Sequence, residues 1–258
     1  MRIWYQSFAS FDKLPGYGRA IKKYLHGFEG KGVSFEVHGL KTGGLGDQYR
    51  AFECFDTAEV LRNVRLANHR KFDAVAIGNI LDPGLREARE ISEIPVIGLC
   101  ESSLMIASLM GRNVSLVTVN ERFIPRIEEN VRRYGLWEKV RGIHTMAVEV
   151  EDLDLAYTDK KARQRIIDKF LEGAKPLVQN GAEVIIPAGG VAMLLLAIAG
   201  VHSIDNIPIV NGIVALTSMV EMMVGFRSKT GVFISRRLMY APPDNICWKQ
   251  AQKTYSLK

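Results

Sequence analysis

The stretch FDAVAIGNILDPGLREAREISEIPVIG, residues 72–98, reads as a strand, a turn, a helix and a second strand. Its apolar run FDAVAI shows no clear polar alternation, so both faces of that strand are expected to be buried, as in a parallel sheet covered by helices. The chain leaves the strand through Gly78 and Asn79 and enters Asp82-Pro83-Gly84-Leu85, whose proline and glycine punctuate it before the charged segment REAREI. Outward from this stretch the same alternation continues. RIWYQSF, VSFEVHGL and IPVIGLC read as strands, and YGRAIKKYLHGF, TAEVLRNVRLANHR, GLREAREI and SSLMIASLM as helices. Strands alternating with helices predict an α/β fold with a mostly parallel sheet flanked by helices.

The pattern is written twice. NVSLVTVNERFIPRIEENVRRYGL parallels RIWYQSFASFDKLPGYGRAIKKYL and sets Pro125 against Pro15, while GAEVIIPAGG parallels FDAVAIGN and sets Glu183 against Asp73. Both offsets are 110 residues; NIPIVNGIVALTSMVEMM parallels EIPVIGLCESSLMIASLM at 113, setting Pro208 against Pro95. Three ordered matches at a nearly constant offset predict a duplicated unit. Residues 1–112 are expected to form a first α/β lobe and 113–225 a pseudo-symmetric second. Residues 226–258 form a basic C-terminal segment, expected to pack on a lobe or on a neighbouring subunit.

Composition bounds the function. With 258 residues, 47% hydrophobic and 24% charged, the chain reads as an ordinary globular protein. The longest apolar stretch, Val191 to Val201, is too short to cross a bilayer, and MRIWYQSF lacks a signal-peptide layout. A cytoplasmic location without membrane partners is expected. The net charge of +6 sits in the tail, where Arg227, Lys229, Arg236, Arg237, Lys249, Lys253 and Lys258 face only Asp244. No aromatic-interleaved basic motif accompanies it, so no nucleic-acid partner is expected. Cys54, Cys100 and Cys247 are scattered and make neither a disulfide framework nor a zinc site. No metal or cofactor is expected.

Ligands of open α/β sheets bind beyond the carboxyl ends of the strands, and two facing lobes put that position in the cleft between them. The first lobe brings Gln6, Ser7, Asn79, Cys100, Glu101 and Ser102 to those ends; the second brings Thr118, Asn120, Gly189, Gly190 and Asn211. Asn79 and Gly189 lie 110 apart and face each other.

With DPGLREAREISEIPVIG, Glu101 and its following SSLMIAS, VSLVTV with ENVRRYGL, and GAEVII before a small-residue turn, residues 1–225 resemble the aspartate/glutamate/hydantoin racemase superfamily. Asp82-Pro83-Gly84-Leu85 is closest to its hydantoin-racemase branch. The resemblance implies two Rossmann-like lobes related by a pseudo-twofold axis, a small-molecule substrate, a cofactor-independent enzyme and a homo-oligomer. It also implies two cysteines on opposite faces of the substrate's α-carbon, one removing a proton as another is supplied. The matching positions here hold Asn79 and Gly189, so both family cysteines are absent. Neither an amide nor a hydrogen shuttles protons at neutral pH.

The expected function is therefore that of a family enzyme acting on a small carboxylate, hydantoin or cyclic amide. Its chemistry would be that of an isomerase, lyase or hydrolase, not two-cysteine racemisation. The alternative is a catalytically inactive small-molecule-binding protein of the same fold. Glu101 and Cys100 are the candidate catalytic groups. Glu101 reads equally as a first-turn dipole residue, and Cys100 either as a thiol activated by the helix that follows it or as a core residue. Asn79, Gly189, Gly190, Ser7, Gln6, Thr118, Asn120, Ser102 and Asn211 are the candidate substrate contacts. Asn79 has a second reading as a turn residue, and KTGGLGDQYR reads as either a loop that covers the cleft or an ordinary surface connection. Among the histidines, His38 and His144 lie nearest to strands.

Overall fold

The computed structural model describes residues 1–30 and 32–255. Its elements run β1 (Arg2–Ser10), α1 (Pro15–His26), β2 (Ser34–Leu40), α2 (Arg50–His69), β3 (Ala74–Ile77), α3 (Leu85–Ile91), β4 (Val96–Gly98) and α4 (Leu99–Met110) in the first half. The second half has β5 (Val114–Thr118), α5 (Ile124–Arg133), β6 (Val140–Thr145), α6 (Val150–Leu155), α7 (Lys160–Gln179), β7 (Val184–Ala188), α8 (Gly190–Ile198), β8 (Ser203–Ile204), β9 (Ile207–Pro208) and α9 (Gly212–Thr230). A last helix, α10 (Asn245–Thr254), lies in the tail.

Two parallel sheets carry the fold. The first has the order β2-β1-β3-β4 and the second β6-β5-β7. The second order continues at residues 209 and 210, where Ile209 bridges Ile185 in parallel and the Val210 amide donates to the Ile185 carbonyl at 2.9 Å. Each half thus repeats the strand order of the other. The central strands are buried along their length on both faces, which is why their sequences show no polar alternation. Helix α1 covers the first sheet with Tyr17, Ile21 and Leu25, spaced four residues apart on one face.

The final helices are exchanged. Helix α4 follows β4 but packs on β7 and β5, whereas α9 packs on β3 and β4. The two helices cross closely where a Cβ at Gly212 would run into the Ser103 hydroxyl. Beyond α9 the tail turns back over the first sheet's helices. Arg236 donates to the carbonyls of Arg89 at 3.2 Å and of Ser92, and the Arg65 guanidinium lies 4.4 Å over the Trp248 ring.

The turn that opened the reading is built around Asp82, held at φ 46° with Gly84 at φ 68°. Its carboxyl accepts the amides of Cys100 at 3.0 Å and Glu101 at 2.9 Å, and the Tyr134 hydroxyl at 2.6 Å. One side chain from the turn therefore caps α4 and ties it to the end of α5. Burial pushes the Asp82 carboxyl up to about 7, against the lowering effect of those three donors.

Candidate active site

The carboxyl ends of β1, β3, β5 and β7 converge on a narrow cavity of about 30 Å³. That is room for about one water. Ser7, Asn79, Gly189 and Gly190 of the expected set line it, joined by Asp47 and Tyr17. A Cβ at Gly190 would come within 3.0 Å of the Gly78 carbonyl, so the two glycine turns nearly touch across the cleft. Gly189 and Gly190 open α8, whose first-turn amides have no intrahelical partners. The cleft therefore offers backbone donors on one wall and Asn79 on the other.

KTGGLGDQYR reaches this cavity through Asp47. Gly43 and Gly44, at φ 88° and 83°, adopt left-handed conformations that favour glycine. The loop's amides at Gly44 and Gly46 donate to Asp56 at 3.0 and 2.8 Å, fixing it to α2. This geometry brings Asp47 down to Asn79, whose Nδ2 donates to Asp47 Oδ1 at 2.7 Å while its Oδ1 accepts the Leu81 amide at 2.8 Å. Asn79 closes its own turn, and its remaining donor is taken by Asp47.

Asp47 is the only carboxylate among the described residues that line the cavity. Burial raises it to about 7, although the hydrogen bond from Asn79 and the charge of Arg126 pull the other way. A carboxyl that titrates near neutral pH in a narrow cleft is suited to giving and taking a proton. Burial also raises the neighbouring Tyr17 phenol, so it stays protonated and serves as a donor.

The two expected catalytic groups lie elsewhere. Helix α4 begins at Leu99, so Cys100 and Glu101 are first-turn residues and not strand ends. Cys100 is fully buried in the core, where desolvation and the nearby Asp82 and Glu101 carboxyls push its thiol well above its ordinary value. The helix N-terminus does not activate it, because Asp82 already occupies those amides. Glu101 makes a two-pronged ion pair with Arg89, through Nη1 at 3.0 Å and through Nη2. Both partners are largely buried, on the side of α4 that faces the tail.

Other expected contacts are spent on the framework. Gln6 is fully buried, accepting from Trp4 Nε1 at 3.0 Å and Asn63 Nδ2 at 2.9 Å. Thr118 donates to the Ala188 carbonyl at 2.9 Å and Ser102 to the Gly98 carbonyl at 2.7 Å. Asn211 caps α9 through the Val214 amide and donates to the Tyr24 hydroxyl at 2.7 Å. Asn120 donates to Gln48 Oε1 at 3.1 Å, so it touches the covering loop from outside the cavity. Neither His38, stacked on Trp4, nor His144 lines the cavity. Asp47 escaped the sequence reading because it lies seven residues beyond the end of β2, within the β2–α2 loop; the glycine-rich character of that loop was the available signal.

The family model for Asp/Glu/hydantoin racemase matches residues 17–220. A hydantoin racemase of Rhizobium meliloti is 28% identical over 207 residues, covering 76% of this chain and 80% of the relative. A second hydantoin racemase, from a Pseudomonas strain, is 29% identical over 66% of each chain. Among solved structures, allantoin racemase from Klebsiella pneumoniae superposes with a TM-score of 0.74 at 23% identity, covering 95% of this chain and 94% of that one. Allantoin racemase from Pseudomonas fluorescens gives 0.77 at 19%, covering 94% and 97%. The two-sheet fold is thus that of the racemase superfamily of enzymes. The chain belongs to the Asp/Glu/hydantoin racemase family.

Proposed function

We propose that the chain acts on a small hydantoin, related cyclic amide or carboxylate, with Asp47 as the proton-transfer group in place of a pair of thiols. The observation that carries this reading is a partly buried carboxyl at about 7, held by Asn79 where the cleft walls meet. The substrate's carbonyl would rest on the first-turn amides of α8, stabilising negative charge that develops as Asp47 takes a proton. Tyr17 and Ser7 supply further hydroxyls. A cavity of about 30 Å³ excludes such a ring, so residues 41–49 must move away for entry and return for chemistry. The reaction is isomerase, lyase or hydrolase chemistry without a resident cofactor. The names of the hydantoin and allantoin racemases above support the substrate class.

The proposal extends to a cytoplasmic homo-oligomer with lobes at 1–112 and 113–225 and a packing tail at 226–258; light scattering of the purified chain tests the assembly. For the chemistry, the full chain is incubated in deuterated water with each enantiomer of 5-substituted hydantoins and with allantoin. Exchange at the ring carbon and ring opening are followed by mass spectrometry. Exchange or ring opening that falls by about 10²-fold or more in Asp47→Asn supports the reading; undiminished turnover in that variant refutes it. The lack of any thiol among the described residues that line the cleft favours one alternative, an inactive binder, which would show ligand-induced stabilisation with neither exchange nor ring opening.

A further inference from the structure

We infer a second ligand site, for a small phosphate ester carrying a flat ring, in a groove of about 620 Å³ between α1 and the start of α7. It shares no lining residue with the cleft, and its volume falls within the range of roughly 300–1,000 Å³ common to small-molecule sites. Three cations, Arg19 and Lys23 of α1 and Arg163 of α7, line it, and no acidic side chain does. Among the described residues, neither Arg19 nor Lys23 forms an ion pair. They stand four apart on one helix face, where like charges repel, and an anion between them removes that repulsion.

Arg163 is already oriented. Its Nε donates to the Ala156 carbonyl at 3.0 Å and its Nη2 to the Tyr157 carbonyl at 3.1 Å, which fixes the guanidinium plane. Nη1 has no protein acceptor among the described residues. A planar, pre-positioned guanidinium with a free edge matches the geometry of a phosphate oxygen.

Three rings stand among the remaining lining residues. Tyr24 and Phe28 pack edge to face with centroids 5.1 Å apart, and Phe28 is 39% exposed. Tyr157 commits its hydroxyl to the Val191 carbonyl at 2.6 Å, so it presents its ring surface to the groove. Cations without acids beside uncovered aromatic surface select an anion joined to a ring over either part alone.

The test is isothermal titration of the full chain at low salt with phenyl phosphate, inorganic phosphate and phenol. Phenyl phosphate should bind with one-to-one stoichiometry, at least about tenfold tighter than either fragment, and Arg163→Gln should weaken it about tenfold or more. Because Arg163 also holds the 156–157 backbone, the exposed pair Arg19→Gln and Lys23→Gln serves as a second variant expected to lose binding without loss of folding. Phenyl phosphate that binds no better than phosphate, or equally well to the folded double variant, overturns the inference. This outcome is independent of whether Asp47 proves catalytic.

Discussion

Arg126, on α5 of the second half, holds the backbone of Asp47 in the first. Its Nη1 donates to the Asp47 carbonyl at 2.7 Å and its Nη2 to the Gly46 carbonyl at 2.8 Å, while Glu53 accepts from the same Nη2 at 2.8 Å. The loop that carries the cleft's one carboxyl is thus clamped by the opposite half. A second side chain of the same half grips the first half's backbone elsewhere, since Asp154 of α6 accepts the amides of Gly16 at 3.2 Å and Tyr17 at 2.7 Å.

Arg126→Met should release this clamp. The charge of Arg126 lowers the Asp47 carboxyl, so its loss raises that group further. If Asp47 works as a base, the rising limb of the kcat/KM profile moves above pH 7, and kcat/KM at pH 7 falls severalfold. A pH–rate series on wild type and variant reads both changes.

Asp47→Asn should separate function from stability. The folded carboxyl titrates near 7 and the unfolded one near its ordinary 3.8, so the folded state binds the proton more tightly. The resulting stabilisation is complete below about 3.8 and is lost as the pH rises through 7. Between pH 6 and 8 the wild type should lose about 1.4 kcal/mol through this group alone, one pH unit's worth, and Asp47→Asn should not. Denaturant unfolding at the two pH values measures the difference.

Gly189→Cys should fold. Gly189 sits at φ 166°, extended backbone open to any residue, and a Cβ there meets only Val119 Cγ2 at an ordinary 3.4 Å. Gly78→Ala is the contrast, because its Cβ would run into the Tyr5 ring and hydroxyl in a packed core. The first should keep its Tm within a few degrees, and the second should lose about 1–3 kcal/mol of stability. Adding Asn79→Cys to Gly189→Cys places thiols on both walls, and exchange of the ring-carbon hydrogen of a hydantoin should rise above that of Asn79→Cys alone.

Glu101→Gln should damage the fold and spare the chemistry. Removing one charge from a mostly buried pair strands Arg89, at a cost of about 3 kcal/mol. Turnover per folded molecule should stay within about twofold of wild type, with folded fraction measured by circular dichroism alongside the assay.

The lobes were legible in the sequence because burial on two faces and a repeated punctuation leave marks in the chain itself. The positions of Asn79 and Gly189 followed from the repeat. Gln6 and Thr118 bond to the framework and not to the cavity, because a strand end carries side chains to both faces and the sequence does not say which face meets the cleft. Cys100 and Glu101 lie away from the cavity because α4 starts at Leu99. A helix turns each residue by about 100°, which directs the thiol into the core and the carboxylate to Arg89. Asp47 depends on a contact made 32 residues away, which no local pattern encodes.

The exchange of α4 and α9 has a consequence for how this chain can be cut. Severed between 112 and 113, each fragment would keep its own sheet and lose the helix that closes it, exposing apolar residues on both pieces. Neither fragment should fold alone, whereas the two mixed together should reassemble. By the same packing, a half-length chain is complete only as a pair that trades helices, so the duplicated sequence joins covalently what two separate copies would have to hold by association.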